Sequence, residues 1–401
     1  MNAQPPQTPL MSERRVGIIG ACLAMIGPVS MAIYTPAMPQ IVHAFGTTEE
    51  AVKMSLSLYF AGFAFAQLVV GPLSDGIGRR PATIAFMAIY TVASVVAVFA
   101  PSIDVLIAAR FVQGIGAAAG IAMSRAIVRD LFNHDQAARI MNLIATILAI
   151  GPALAPTIGG LTMTLFGWHA IFFVMAAAGI ALMLLTLFAI RETVERDLSR
   201  IRPRALLASY GELLGSPYFM TASLTNAGAT STIYALATML PFVMMNRVGL
   251  SPTQFGVTML MQSASFIAGS ISLRLLMRRW SPGALVPVGL MMMGLASIAL
   301  AIGLRLIEPN FFIVMVPVAS YAYGVAFVVS AMTTAAMAPF GRNAGAASAL
   351  VGFLQMFTGL LGGSLAALLG DATMALATIT PTLALMSIVS WLIWRRLPVP
   401  N

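Results

Sequence analysis

The chain has 401 residues, of which 59% are hydrophobic and only 9% charged, whereas soluble globular proteins carry about 25% charged residues. A charge density this low excludes a water-soluble domain and makes lipid the solvent. The formal charge of +9 does not indicate nucleic acid, because the basic residues are placed with a bias. Lys53, Arg247 and Arg305 fall near one set of predicted helix ends and Arg110 falls inside a helix, while the rest of the 22 Lys and Arg collect at the opposite ends, as cytoplasmic loops do.

Crossing a bilayer as a helix takes about 20 apolar residues. Such runs recur over 16–38, 52–73, 81–100, 104–126, 138–163, 169–190, 218–244, 253–276, 283–304, 311–333, 344–370 and 373–394. Stretches such as Thr83 to Ala100 and Ile171 to Ile190 are apolar on every face, which rules out a barrel of strands alternating in polarity. The expected fold is all-α and integral to the membrane: twelve transmembrane helices in two pseudo-symmetric six-helix bundles, with both termini cytoplasmic. The first run is too long for a removable signal peptide and reads as a span.

Expected boundaries are an N-terminal bundle at 1–190, a cytoplasmic linker at 191–217 and a C-terminal bundle at 218–401. The linker carries Glu192, Glu195, Arg196, Asp197, Arg200, Arg202, Arg204 and Glu212. Gly71 followed by Arg79-Arg80-Pro81 has a counterpart half a chain later in Gly269 followed by Arg278-Arg279 and Pro282, which points to duplication. The sole cysteine, Cys22, lies in the first run, so neither an intrachain disulfide nor a cysteine metal site is available.

Between the second and third runs stands Gly71-Pro72-Leu73-Ser74-Asp75-Gly76-Ile77-Gly78-Arg79-Arg80. Its glycines permit a tight turn, Asp75 suits the N–H groups of a helix start, and Arg79 suits a carboxylate such as Asp130. In the fourth run, Arg110-Phe111-Val112-Gln113-Gly114 puts a guanidinium inside a helix at a cost of at least about 2.5 kcal/mol. It therefore either faces a watery cavity, with Gln113 on nearly the same face, or snorkels to the nearby surface. The fifth run contains Gly151-Pro152-Ala153-Leu154-Ala155-Pro156-Thr157-Ile158-Gly159-Gly160, in which small residues allow close helix approach and two prolines bend the helix.

These three segments resemble the signature loop, the arginine helix motif and the antiporter motif of the major facilitator superfamily. Tyr34-Thr35-Pro36-Ala37-Met38-Pro39, Arg129-Asp130-Leu131-Phe132, Trp168-His169-Ala170-Ile171-Phe172 and Gly345-Ala346-Ala347-Ser348-Ala349-Leu350 extend the likeness. Together they resemble the bicyclomycin and chloramphenicol resistance branch of the drug:proton antiporters. The resemblance implies a bacterial inner-membrane exporter of lipophilic small molecules driven by proton entry. It also implies that Asp75 latches onto the start of the eleventh helix, near Asn343 to Gly345, in the outward-facing state.

Three positions depart from the family pattern: Gly76 stands where Arg is usual, Ala155 where Gly is usual, and Ala32 where the branch carries the first-helix aspartate. With no acidic residue at mid-membrane, three routes stay open: coupling through Asp75 or Asp130, exchange of a charged substrate on Arg110, or transport without protons.

Candidate cavity residues are Tyr34, Arg110, Gln113, Asn142, Asn226, Tyr234, Gln262, Tyr321 and Gln355. Candidate gating residues are Gly71, Asp75, Gly78, Arg79, Arg80, Asp130, Gly151, Pro152, Pro156, Gly159 and Gly160. No Ser/His/Asp constellation, metal-ligand cluster or phosphate loop is present, so neither an enzyme nor a cofactor is expected. The expected partners are a lipophilic small molecule, protons and the bilayer, with the chain acting as a monomer. Uptake or exchange of a specific metabolite is the alternative function.

Overall fold

The computed structural model describes residues 11–400; the polar stretch before residue 11, Asn401, and the side chains of His134, Ala138, Ala149, Arg200 and Arg342 lie outside the described residues. Among the described residues the chain is helical throughout, with twelve helices long and apolar enough to cross a membrane. They are numbered in chain order: span 1 Glu13–Phe45, span 2 Glu49–Ile77, span 3 Arg79–Val98, span 4 Ile103–Leu131, span 5 Asp135–Phe166, span 6 Trp168–Ala189, span 7 Pro217–Arg247, span 8 Pro252–Leu276, span 9 Pro282–Leu306, span 10 Phe311–Gly341, span 11 Ala344–Leu368 and span 12 Ala372–Trp394. The end that carries Arg79 and Arg80 is called here the basic end, and the other the distal end.

Lipid offers no hydrogen bonds, so the free N–H groups of each helix start need partners from the chain. Side chains of Ser12, Thr48, Ser102, Asn133, Ser216, Ser251, Asn310 and Asp371 accept from first-turn N–H groups. Asn133 with Gln136 and Ser251 with Gln254 form full capping boxes, the reciprocal arrangement that satisfies two donors at once.

Helix contacts repeat between the halves. Span 4 packs on spans 1, 2 and 3, and span 10 packs on spans 7, 8 and 9; spans 1 and 5 pair as spans 7 and 11 do, and spans 3 and 6 as spans 9 and 12 do. The halves then meet through span 2 against span 11 and span 5 against span 8, two contacts related by the same pseudo-symmetry. Within the first half, Gly62 and Gly114 press on the backbones of Phe111 and Tyr59 respectively, leaving no room for a Cβ, and so bring spans 2 and 4 to backbone contact.

Spans 2 and 4 are longer than the hydropathy runs suggest. Span 2 continues to Ile77 and span 4 to Leu131, so the turn expected over Gly71 to Arg80 contracts to Gly78, whose φ of 101° is open to glycine alone. The helix survives Pro72 because the chain re-satisfies what the proline frees. Leu68 lies four residues before Pro72, and its orphaned carbonyl accepts the Tyr210 hydroxyl at 2.6 Å. Tyr210 belongs to a linker helix, Pro203–Leu214, and burial pushes its phenol up to about 12, so it stays a donor at working pH. Pro381 is served in the same way: Arg305 Nη1 donates to the Ala377 carbonyl at 2.9 Å.

Tyr210→Phe is expected to leave the Leu68 carbonyl unpaired and to lower stability by about 1–3 kcal/mol. In detergent, thermal melting of the single and double variants checks this. The loss should shrink in the Pro72→Ala background, where the helix regains its own donor; equal losses in both backgrounds would refute the pairing.

Candidate functional site

A cavity of about 300 Å³ lies between the halves, lined by spans 1, 5, 7, 8 and 10. Pro28, Met31 and Ala32 face Pro152, Ala153 and Pro156 on the first-half side. The other wall presents Tyr234, Gln262, Ser263 and Phe266. Among the described residues no lining residue is acidic or basic, so a charged ligand would lose its hydration here without a counter-ion. Three prolines in the wall, Pro28, Pro152 and Pro156, each remove a backbone donor from spans 1 and 5 beside the cavity.

Arg110 is elsewhere. Its side chain is fully buried inside the first bundle, with the guanidinium sandwiched between the rings of Tyr34 and Tyr59, at 4.5 Å and 4.4 Å from their centroids. Nη1 donates to Gln113 Oε1, one helical turn along. The Gln113 amide in turn donates to Ser94 Oγ at 2.7 Å and lies 3.2 Å from the Met175 sulfur. The Tyr59 hydroxyl donates to the Gly27 carbonyl at 2.9 Å, and Tyr34 shares a 2.7 Å bond with Ser55. Spans 1, 2, 3, 4 and 6 therefore converge on one cation.

Desolvated cation–π contacts are worth up to about 2 kcal/mol each, and a hydrogen bond from a charged donor about 1.5–3 kcal/mol, which together offset the insertion cost of roughly 2.5–3.5 kcal/mol. The snorkelling alternative is thereby excluded in this conformation, and so is a cavity-wall position. Nε and Nη2 have no partner among the described residues.

At the distal end the cavity is sealed by the span 5 motif. A Cβ on Gly160 would strike the Pro252 carbonyl, and one on Gly256 the Pro156 carbonyl, so spans 5 and 8 touch backbone to backbone. Thr157 donates to the Gly256 carbonyl at 3.0 Å and Thr253 to the Gly160 carbonyl at 3.3 Å. Gly151 and Gly159 face span 1, at Met25 and Ile33. Pro152 and Pro156 thus line the cavity while their flanking glycines close it.

At the basic end, Arg79 pairs with Asp75 at 2.5 Å and with Asp130 at 2.8 Å, and donates to Ser74 Oγ at 2.6 Å. The carboxylate that receives a helix start is not Asp75 but Glu192, which accepts from the Arg79 and Arg80 amides at 2.8 Å and 3.1 Å. Arg80 donates onward to the Leu187 carbonyl at 2.5 Å. The latch expected between Asp75 and the span 11 start belongs to the outward-facing state; here, with the distal end closed, Asn343 at that start bonds Glu212 and Ser209. The linker explains Gly76 as well: Asp197 donates its amide to the Gly76 carbonyl at 2.9 Å and Ile201 fills the space a side chain would need. Gly71 has open space around it and makes no such contact.

Of the nine cavity candidates, Tyr234 and Gln262 line the cavity. Tyr34, Arg110 and Gln113 form the buried cluster just described. Asn226 and Tyr321 are buried within the second bundle, donating to Thr333 and Thr232 at 2.7 Å each. Asn142 is exposed and Gln355 half-buried away from the cavity. Polarity in a span signals a needed partner, and most of these partners are neighbouring helices. Thr35, Thr230 and Phe266 escaped notice because nothing in their local sequence separates a cavity face from a packed one.

Arg110→Met is expected to accumulate in the membrane and to melt no lower than the parent, because two orphaned donors leave with the charge. Thermal melting of the purified variant decides this. A fall of more than about 5 °C, roughly the effect of 1 kcal/mol or more, would show that the tyrosine sandwich stabilises the bundle.

A profile described as the Major Facilitator Superfamily matches residues 20–363. The chain is 30% identical over 342 residues to YdgK of Bacillus subtilis, an uncharacterized MFS-type transporter, covering 84% of each chain. It is 28% identical over 342 residues to multidrug resistance protein MdtL of a Shewanella species, covering 84% of this chain and 85% of the relative. To MdtL of Salmonella paratyphi B it is 29% identical over 375 residues and 90% of each chain. Among solved structures, a D-xylose-proton symporter superposes with a TM-score of 0.76 at 11% identity, covering 96% of this chain and 98% of that one. A bacterial homolog of the human lysosomal transporter Spinster, inward-facing and unoccupied, gives 0.71 at 15% identity over 98% and 97%. These two likenesses concern the fold alone. Twelve spans arranged as two repeated bundles, and a family match over most of the length, mean that this multi-pass membrane protein belongs to the major facilitator superfamily.

Proposed function

We propose that the chain exports uncharged, lipophilic small molecules by alternating access, taking them from the basic end, which faces the cytoplasm, and releasing them at the distal end. The observation that carries this reading is the cavity: apolar, uncharged, central to the two bundles and closed at the distal end by the span 5 motif. Similarity to the multidrug resistance proteins MdtL supports the direction. The excess of Lys and Arg at the basic end supports the orientation. Two methionines, Met31 and Met259, in an otherwise largely apolar wall suit a site that accepts several shapes.

Proton entry drives the flux in this proposal. With no carboxylate on the cavity wall, the proton site is assigned to Asp130 and Asp75, the two carboxylates gathered on the buried Arg79. Exchange of an acidic metabolite on Arg110 gains no support, since that guanidinium is shut off from the cavity behind Tyr34 and Tyr59.

Two measurements test the reading. In a drug-sensitive host, the parent should confer resistance to neutral lipophilic compounds and little to organic cations, and Ala32→Asp, which sets a carboxylate on the wall, should add cations to the range. Resistance to cations alone would overturn the neutral-ligand reading. In proteoliposomes with an imposed pH gradient, adding a transported compound should release protons. Asp130→Asn should retain counterflow but lose pH-driven accumulation; clear flux with no proton signal in the parent would remove the coupling step from the proposal.

A further inference from the structure

Among the described residues, one buried charge besides Arg110 takes no part in the cavity or the basic-end network. Lys53 lies in the first turns of span 2, at the distal end, and its side chain is completely shielded from solvent. A lysine so placed near a membrane surface would ordinarily extend its ammonium into water. Instead the ammonium crosses the boundary between the halves and donates to the Gly370 carbonyl at 2.7 Å. Gly370 follows the C-cap of span 11 with a φ of 72°, the left-handed residue that ends a helix and turns its own carbonyl out of the helical ladder. The ammonium also lies 5.3 Å from the centroid of Phe242 in span 7 and 3.5 Å from Glu49.

One further bond crosses the same boundary, and an ion pair braces its second-half side. Glu49, in the first half, accepts from Asn246 of span 7 at 3.0 Å. Arg247 pairs with Asp371 at 2.7 Å, tying span 7 to the start of span 12. Phe242 and Asn246 stand on a single π-helical turn, Phe242–Arg247, a local widening often found where helices move or bind. Below these contacts, Ser57 fills the space beside Gly363, so spans 2 and 11 are flush at this level.

We propose that Lys53 is the clasp of the distal gate: its ammonium, locked on the Gly370 carbonyl and the Phe242 ring, holds the two bundles together at that end. Opening there pulls the ammonium off both partners and returns it to water. The clasp holds only while the seam is dry, because water competes for the same donor once the gate parts. A dry lysine therefore favours one closed arrangement without preventing the open one. Among the described residues the contact of spans 5 and 8 is made by glycines, prolines and threonines without a charged partner, so the two seams of the gate work differently.

The test reads the gate directly and requires no transported compound, so it stands or falls separately from the export reading. In a Cys22→Ser, Ala237→Cys background, a membrane-impermeant maleimide is applied at the distal face of sealed vesicles of known sidedness. Ala237 lines the cavity and can be reached from that face only when the gate opens. Lys53→Met, which keeps the length of the side chain, is expected to raise the labelling rate about tenfold, the shift that follows from losing one charge-assisted hydrogen bond. Lys53→Arg, which keeps a cation, should stay near the parent rate. If Lys53→Met does not accumulate, Phe242→Leu carries the test, since it removes only the ring and should raise the rate by a smaller factor. An unchanged rate in the inserted variants overturns the proposal, as would equal increases for Lys53→Met and Lys53→Arg, which would assign the effect to packing alone.

Discussion

Backbone contact between helices of opposite halves is the constraint on which the rest of this molecule depends. Lipid tails are as apolar as leucine side chains, so burial of apolar area gives little reason for one span to prefer another over lipid. Gly160 and Gly256 remove the side chains that would hold spans 5 and 8 apart, and the threonines beside them exchange hydrogen bonds with the exposed carbonyls. The seam is therefore tight at the distal end. Toward the basic end from Gly159 and Gly160, Pro152, Ala153 and Pro156 of the same segment line the cavity. Seal and cavity are two consequences of one ten-residue segment.

The buried charges are handled by three different chemistries. Arg110 has no carboxylate within salt-bridge distance among the described residues and is held by two aromatic faces and a glutamine. Arg79 sits between two carboxylates and a serine at the basic end, where water is near. Lys53 uses a backbone carbonyl and a ring. A guanidinium is more weakly hydrated and stacks well on tyrosine, so it tolerates the driest position; an ammonium, strongly hydrated, lies close to the surface from which water can return.

The linker is part of the structure rather than a tether. Glu192 caps the start of span 3, the backbone of Asp197 pairs with Gly76, and Tyr210 supplies the hydrogen bond that Pro72 denies to Leu68. Each contact satisfies a backbone group that lipid cannot, which ties the sequence of the linker to the geometry of the signature segment.

The sequence by itself determined the class of solvent, the twelve spans, their order and the family, because these follow from local quantities: the length of apolar runs, the placement of Lys and Arg, and short motifs of glycine and proline. It also marked out Arg79 with Asp130 and the small residues of span 5. Only the tertiary structure decided which polar residues meet the cavity. Tyr234 and Gln262 do, whereas Arg110, Gln113, Asn226 and Tyr321 turn into their own bundles, because a helix shows the same residue types to a cavity as to a hydrogen-bonding neighbour. Glu192, Tyr210 and Lys53 were hidden for a related reason. Their partners are backbone groups more than 100 residues away, freed by a proline or a helix end, and a carbonyl left without a donor has no letter in the sequence.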